Sequence, residues 1–114
     1  MVKREQRLRT PAEFRRARDQ APRGWPNRLL VLYAAPNDLQ HARVGITVSS
    51  RVGKAVVRNK VKRRLREALR ARFERLLPGV DVLILARPAS AQATWDELNR
   101  ALDGLLARAG ATRA

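Results

Sequence analysis

Between Arg51 and Arg75 the sequence RVGKAVVRNKVKRRLREALRARFER carries eleven Lys or Arg and two acids, Glu67 and Glu74. The same stretch is periodic. Val57, Val61, Leu65, Ala68, Leu69 and Leu76 recur at steps of three and four, the spacing that gathers residues on one side of an α-helix. At roughly 100° per residue, Asn59, Arg63, Arg66 and Arg70 fall on the opposite side, and Arg58 and Arg64 flank the apolar stripe. A chain with such a helix must bury one side of it on a core and leave a column of guanidinium groups outside. Solvated helix faces usually mix signs, because like charges one turn apart repel. Here Arg63, Arg66 and Arg70 have only Glu67 among them. An external polyanion is the simplest compensation. Arginine favours it further, since its planar fork meets two phosphate oxygens at once.

Composition agrees. The chain has 114 residues, a length that suits one domain over 1–114 with a modest core. Aromatic residues are 4% of it, so that core must be aliphatic. The formal net charge of +15 calls for a polyanionic partner: RNA, DNA or an acidic membrane surface. With no cysteine, disulfides and thiolate metal sites are excluded. No apolar run reaches membrane-spanning length, and MVKREQRLRT lacks the apolar segment of a secretion signal. A cytoplasmic protein is the expectation.

Along the chain, residues 1–9 read as a basic, mobile lead-in. Thr10-Pro11-Ala12-Glu13 is a capping box with proline at the first helical position, and it predicts a helix to about Asp19. Pro22, Gly24 and Pro26 break the chain, with room for a short edge strand around Trp25. Leu29–Ala34 and Arg43–Ser49 read as strands, and together as an antiparallel hairpin with a long loop around His41. Tyr33 falls on the sheet face opposite Leu30 and Leu32, and Gly45 leaves room on the face that Thr47 occupies. Pro78-Gly79 closes the basic helix region, and Val80–Ala86, the most apolar strand, is expected at the centre. Thr94-Trp95-Asp96-Glu97 is a second capping box. It opens a helix whose Leu98, Ala101, Leu102, Leu105 and Leu106, with Trp95, are expected to cover the sheet. The tail after Gly110 reads as frayed. The fold class is α+β: a two-layer α/β sandwich, order α-β-β-β-α-β-α, with a small mixed four-stranded sheet.

Catalytic chemistry is sparse. The one histidine, His41, sits in a loop, and no Ser/His/Asp or Cys/His constellation exists. Glu67 and Glu74 lie two helical turns apart, about 10 Å, and read as surface charges. No phosphate-binding glycine loop, zinc spacing, aromatic RNP stretch or KH-type GXXG is present. The polypeptide alone is not expected to be an enzyme.

The run Val52-Gly53-Lys54-Ala55-Val56-Val57-Arg58-Asn59-Lys60-Val61-Lys62-Arg63-Arg64-Leu65-Arg66-Glu67 closely resembles the basic helix of the bacterial ribonuclease P protein component. The pattern there is V-G-N-A-V-x-R-N-R-x-K-R-x-x-R-E. The early helix with Phe14, the strand ending in Leu32-Tyr33, the RVGITVS strand and the terminal helix extend the resemblance over nearly the whole chain. Three positions depart from the pattern: Lys60 replaces an arginine, Lys54 an asparagine, and Ser50 a basic residue. Arg18 stands where a second aromatic residue is common; its guanidinium plane can also stack on a base.

The resemblance implies a protein subunit that is not itself catalytic. A catalytic RNA, using Mg²⁺, would remove the 5′ leader of precursor tRNA. By position, the RNA subunit would be bound by Arg51, Lys54, Arg58 and Asn59, and by Lys60, Lys62, Arg63 and Arg66. The leader would lie against Phe14, Arg18 and Tyr33. Ribonuclease P RNA and precursor tRNA would be the partners, in a 1:1 protein:RNA holoenzyme, with no membrane. A left-handed βαβ crossover around the basic helix is implied as well. The residues alone leave a small basic ribosomal or ribosome-assembly protein as the alternative.

Overall fold

The computed structural model describes residues 3–113. Four strands, β1 (Gly24–Pro26), β2 (Leu30–Pro36), β3 (Arg43–Val48) and β4 (Val80–Ala86), form one sheet in the order β1-β2-β4-β3. Three α-helices accompany it: α1 (Pro11–Gln20), α2 (Ala55–Arg72) and α3 (Trp95–Ala109). The order and the mixed sheet match the sequence expectation. β1 pairs antiparallel with β2, β2 antiparallel with β4, and β3 parallel with β4.

The expected hairpin over 29–49 does not form. β4 lies between β2 and β3, so the two never pair. The reason is burial: Asp81 to Ile84 are all buried, and so is Ala86, which suits only an interior strand. The 36–42 loop instead straddles the start of β4. The Asn37 amide donates to the Gly79 carbonyl (2.8 Å) and the Gly79 amide to that of His41 (3.3 Å).

Register assigns each face. Leu30–Ala86–Val48, Leu32–Ile84–Ile46 and Ala34–Val82–Val44 are transverse rows on one side. They form the main core with Val61, Leu65 and Leu69 of α2 and Leu98, Leu102, Leu105 and Leu106 of α3. The other side carries the rows Ala35–Asp81–Arg43, Tyr33–Leu83–Gly45 and Val31–Leu85–Thr47. Here a smaller cluster of Leu8, Ala17 and Leu83 is joined by half-buried Phe14, Tyr33 and Leu85. α1 is short and covers only part of this side. Thr47 is exposed, and Val31 and Leu85 are half-buried.

Both predicted capping boxes are present: the Glu13 amide donates to Thr10 Oγ1 (3.2 Å) and the Glu97 amide to Thr94 Oγ1 (3.1 Å). Three expectations about the periphery fail. The segment before α1 is pinned: Arg7 bridges Val44 and Leu8 is 6% exposed. Met1 and Val2 lie outside the described residues. The tail is also held, for Ala111 is buried, Thr112 bridges Leu76, and the Arg113 amide donates to the Arg75 carbonyl (2.8 Å). Trp95 is 45% exposed and does not cover the sheet. As the first residue of α3 its side chain leans off the helix end, ahead of the stripe that begins at Leu98.

One polar network ties α1 to the sheet. Asp81, with its side chain 3% exposed, accepts from Arg43 Nε (2.9 Å) and Nη2 (2.8 Å) and from Asn37 Nδ2 (2.7 Å). Arg43 Nη1 also donates to Glu13 (3.0 Å), at the start of α1. Hydrogen bonding to Asp81 holds the Arg43 pKa above its usual value. The backbone amides of Arg9 and then Thr10, donating to the Glu13 carboxylate, hold its pKa below the usual range, and Arg43 adds to this. Asp81→Ala leaves a partly buried guanidinium with Glu13 alone. Breaking such a pair costs about 3–5 kcal/mol, and the urea midpoint of the variant should fall accordingly.

Candidate nucleic-acid interface

α2 presents the face that its sequence demands. Val61, Leu65, Ala68 and Leu69 are buried, while Asn59, Arg63, Arg66 and Arg70 are exposed. Arg58 and Arg64 are half-buried on the flanks, and Arg64 donates to the Ala93 carbonyl (3.0 Å). Lys60 is exposed and Lys62 half-buried. Arg70 is drawn to Glu67 (2.9 Å), which leaves Arg63 and Arg66 without a described acidic partner.

Arg72 belongs to the charge run but not to the interface. It is 8% exposed, donates to the Ala68 carbonyl (2.8 Å), and forms a forked pair with Asp103 of α3. Arg72 holds the Asp103 carboxyl below its usual range, with Arg75 adding to this. It staples two helices.

The approach to α2 is a short 3₁₀ turn, Ser50–Val52, followed by Gly53. Gly53 has φ 150°, a conformation that L side chains rarely adopt, and a Cβ there would lie 3.2 Å from the Val57 side chain. The chain can therefore turn sharply into α2. Arg51 sits on that turn and Lys54 at the helix N-cap, both exposed.

Phe14, Arg18 and Tyr33 come together on the partly covered sheet face. Phe14 and Tyr33 border the same small cluster, and the Arg18 guanidinium lies 5.6 Å from the Tyr33 ring centroid, within cation–π range. A cavity of about 420 Å³ joins this region to α2; Phe14, Gly45 and Ile46 line it beside Lys62 and Arg66. Arg7 and Arg9 line it too. Sequence reading missed both, although Leu8, a lone apolar residue in a basic stretch, was the available signal that this segment docks.

No described helix is long and apolar enough to cross a membrane. Among the described residues no three His, Cys, Asp or Glu side chains gather where a metal ion could be held.

The ribonuclease P family model matches residues 2–110. The chain belongs to the ribonuclease P protein family. The ribonuclease P protein component of Roseiflexus castenholzii is 43% identical over 110 residues, 96% of this chain and 89% of that protein. That of Beutenbergia cavernae is 45% identical over 104 residues, 91% of this chain and 87% of that protein. Among solved structures, the Staphylococcus aureus RNase P protein superposes with a TM-score of 0.86 at 30% identity, covering 95% of this chain and 98% of its own. The Thermotoga maritima protein, solved in complex with 1-(4-fluorophenyl)-2-thiourea, gives 0.79 at 28% identity over 89% and 97%.

Arg63 and Arg66 are exposed, so their joint replacement by alanine should leave the thermal midpoint within a few degrees. Affinity of this ribonuclease P protein for a folded RNA should fall at least tenfold, measured by filter binding. Unfolding of the double variant at neutral pH would instead mean that the two side chains support the core.

Proposed function

We propose that the chain is the protein subunit of a ribonuclease P holoenzyme that matures the 5′ ends of tRNAs. In this reading α2 and its approach grip the RNA subunit, and the α1 side of the sheet receives the leader of precursor tRNA. The observation that carries it is a one-sided column of cations next to a half-open sheet face bearing two aromatic rings.

The division of labour follows from chemistry. Asn59, Lys62, Arg63 and Arg66 recur at one-turn spacing, which suits a phosphate backbone rather than base edges in a groove. Arg51, Lys54, Arg58 and Lys60 extend the same surface toward the N-terminal end of α2. A leader of variable sequence needs stacking surfaces and a basic track, because every base offers a π-face. Phe14 and Tyr33 are the surfaces, and Arg18 the adjoining cation. Hydrolysis of the phosphodiester is assigned to the RNA subunit. The carboxylates of Glu13, Asp81 and Asp103 are occupied by guanidinium groups, and the described residues offer no metal cage. In this reading the Mg²⁺ of the reaction is held by the RNA subunit. A 1:1 complex places one such column on one RNA.

Reconstitution tests this reading. Added to a ribonuclease P RNA at low Mg²⁺, the protein should bring about cleavage of precursor tRNA at the mature 5′ end. The protein incubated with precursor tRNA alone should give no product; cleavage there would overturn the assignment of chemistry to RNA. Tyr33→Ala should weaken binding of leader-bearing substrate by about fivefold or more relative to leaderless tRNA. Equal losses for both would remove this face from leader binding.

A further inference from the structure

Tyr33 of β2 and Phe14 of α1 rest against the backbones of the two outermost strands, and each meets a glycine there. Gly24 of β1 pairs with Tyr33, Tyr33 with Leu83, and Leu83 with Gly45 of β3. One transverse row therefore crosses the whole sheet, roughly 14 Å at about 4.8 Å per strand, with glycine at both ends. A Cβ at Gly24 would lie 3.0 Å from Tyr33 Cε1 and 3.1 Å from Cζ. A Cβ at Gly45 would lie 2.7 Å from both Phe14 Cε1 and Leu8 Cδ1. Neither glycine has positive φ among the described residues, so the backbone does not require glycine at either site. Strands favour β-branched residues, and glycine weakens them. What the two positions gain is space for a ring.

We propose that Gly24 is a positioning residue for leader binding, and that it acts through Tyr33; Gly45 does the same for Phe14. The inference rests on the reading of this face as the leader site. With no side chain at Gly24, the Tyr33 ring lies against the β1 backbone, and the Arg18 guanidinium lies over it, 5.6 Å from the ring centroid. A β-carbon at position 24 pushes the ring away from β1 by a few tenths of an ångström and displaces the stacking surface that it forms with Arg18. At Gly45 the same change also displaces Leu8, so Gly24 is the cleaner probe.

The experiment uses holoenzyme reconstituted with ribonuclease P RNA. It compares dissociation constants for precursor tRNA and leaderless tRNA in four proteins: unaltered, Gly24→Val, Tyr33→Ala and the double variant. Gly24→Val should reduce the preference for leader-bearing substrate about fivefold in the Tyr33 background. It should have no further effect once Tyr33 is alanine. Valine suits an edge strand, and the crowded ring offsets that gain, so the thermal midpoint should stay within a few degrees. Gly24→Ala, whose Cβ meets the same ring, should give a smaller loss of the same sign and serves if the valine variant does not fold. An undiminished preference in both glycine variants, with Tyr33→Ala impaired, overturns the role of Gly24 alone. An equal loss in both backgrounds overturns it too, because the glycine would then act independently of the ring. If Tyr33→Ala itself leaves the preference intact, the leader reading and this inference fall together.

Discussion

Burial of a narrow stripe on α2 decides nearly everything else about the molecule. Val61, Leu65, Ala68 and Leu69 reach the sheet, and at 3.6 residues per turn that contact fixes which side chains cannot. Fully burying a leucine or valine side chain is worth about 1.5–3 kcal/mol. Repulsion between exposed like charges one turn apart costs only tenths. The apolar contact wins by a wide margin, and the cations are displayed whether or not a ligand is present. The candidate interface is thus preformed, which would spare binding the cost of ordering the helix.

The opposite side of the sheet is governed by polar forces. α1 offers little apolar area: Ala17 is its one buried residue, with Phe14 half-buried beside it. Its N-terminal end is anchored by Glu13, and through Arg43 by Asp81. An ionic anchor at one end holds the helix in place without requiring it to cover the face. The row Val31–Leu85–Thr47 can therefore stay open while the helix remains in position. A longer, more apolar α1 would have been stabler against the sheet and would have closed it.

Much of this was legible in the sequence because it is local. The two capping boxes, the stripe of α2 and the position of Tyr33 opposite Leu30 and Leu32 follow from spacing alone. What failed depended on distant partners. The pairing of Leu29–Ser49 as a hairpin assumed that neighbours in sequence pair in space, whereas a strand thirty residues later enters between them. The pairing of Arg72 with Asp103 was not legible, since nothing near Arg72 in sequence announces that a residue of α3 will meet it. Arg7 and Leu8 looked like part of a mobile lead-in because one bridge to Val44 is invisible until β3 is placed at the edge. The candidate interface residues on α2 were legible for the same local reason as the helix. The cavity that links them to Phe14 was not.

The position of β3 has one more consequence. Leu8 donates to the outward carbonyl of Val44, and alternate residues of a strand direct their backbone groups to the same side. Ile46 and Val48 therefore turn donors and acceptors away from β4, with no partner among the described residues. Such an unfinished border invites a foreign strand to add itself, the first step of aggregation. Arg7, Arg9, Lys62 and Arg66 stand around this stretch. A second copy arriving border to border would bring the same cations with it, and like-charge repulsion opposes that pairing.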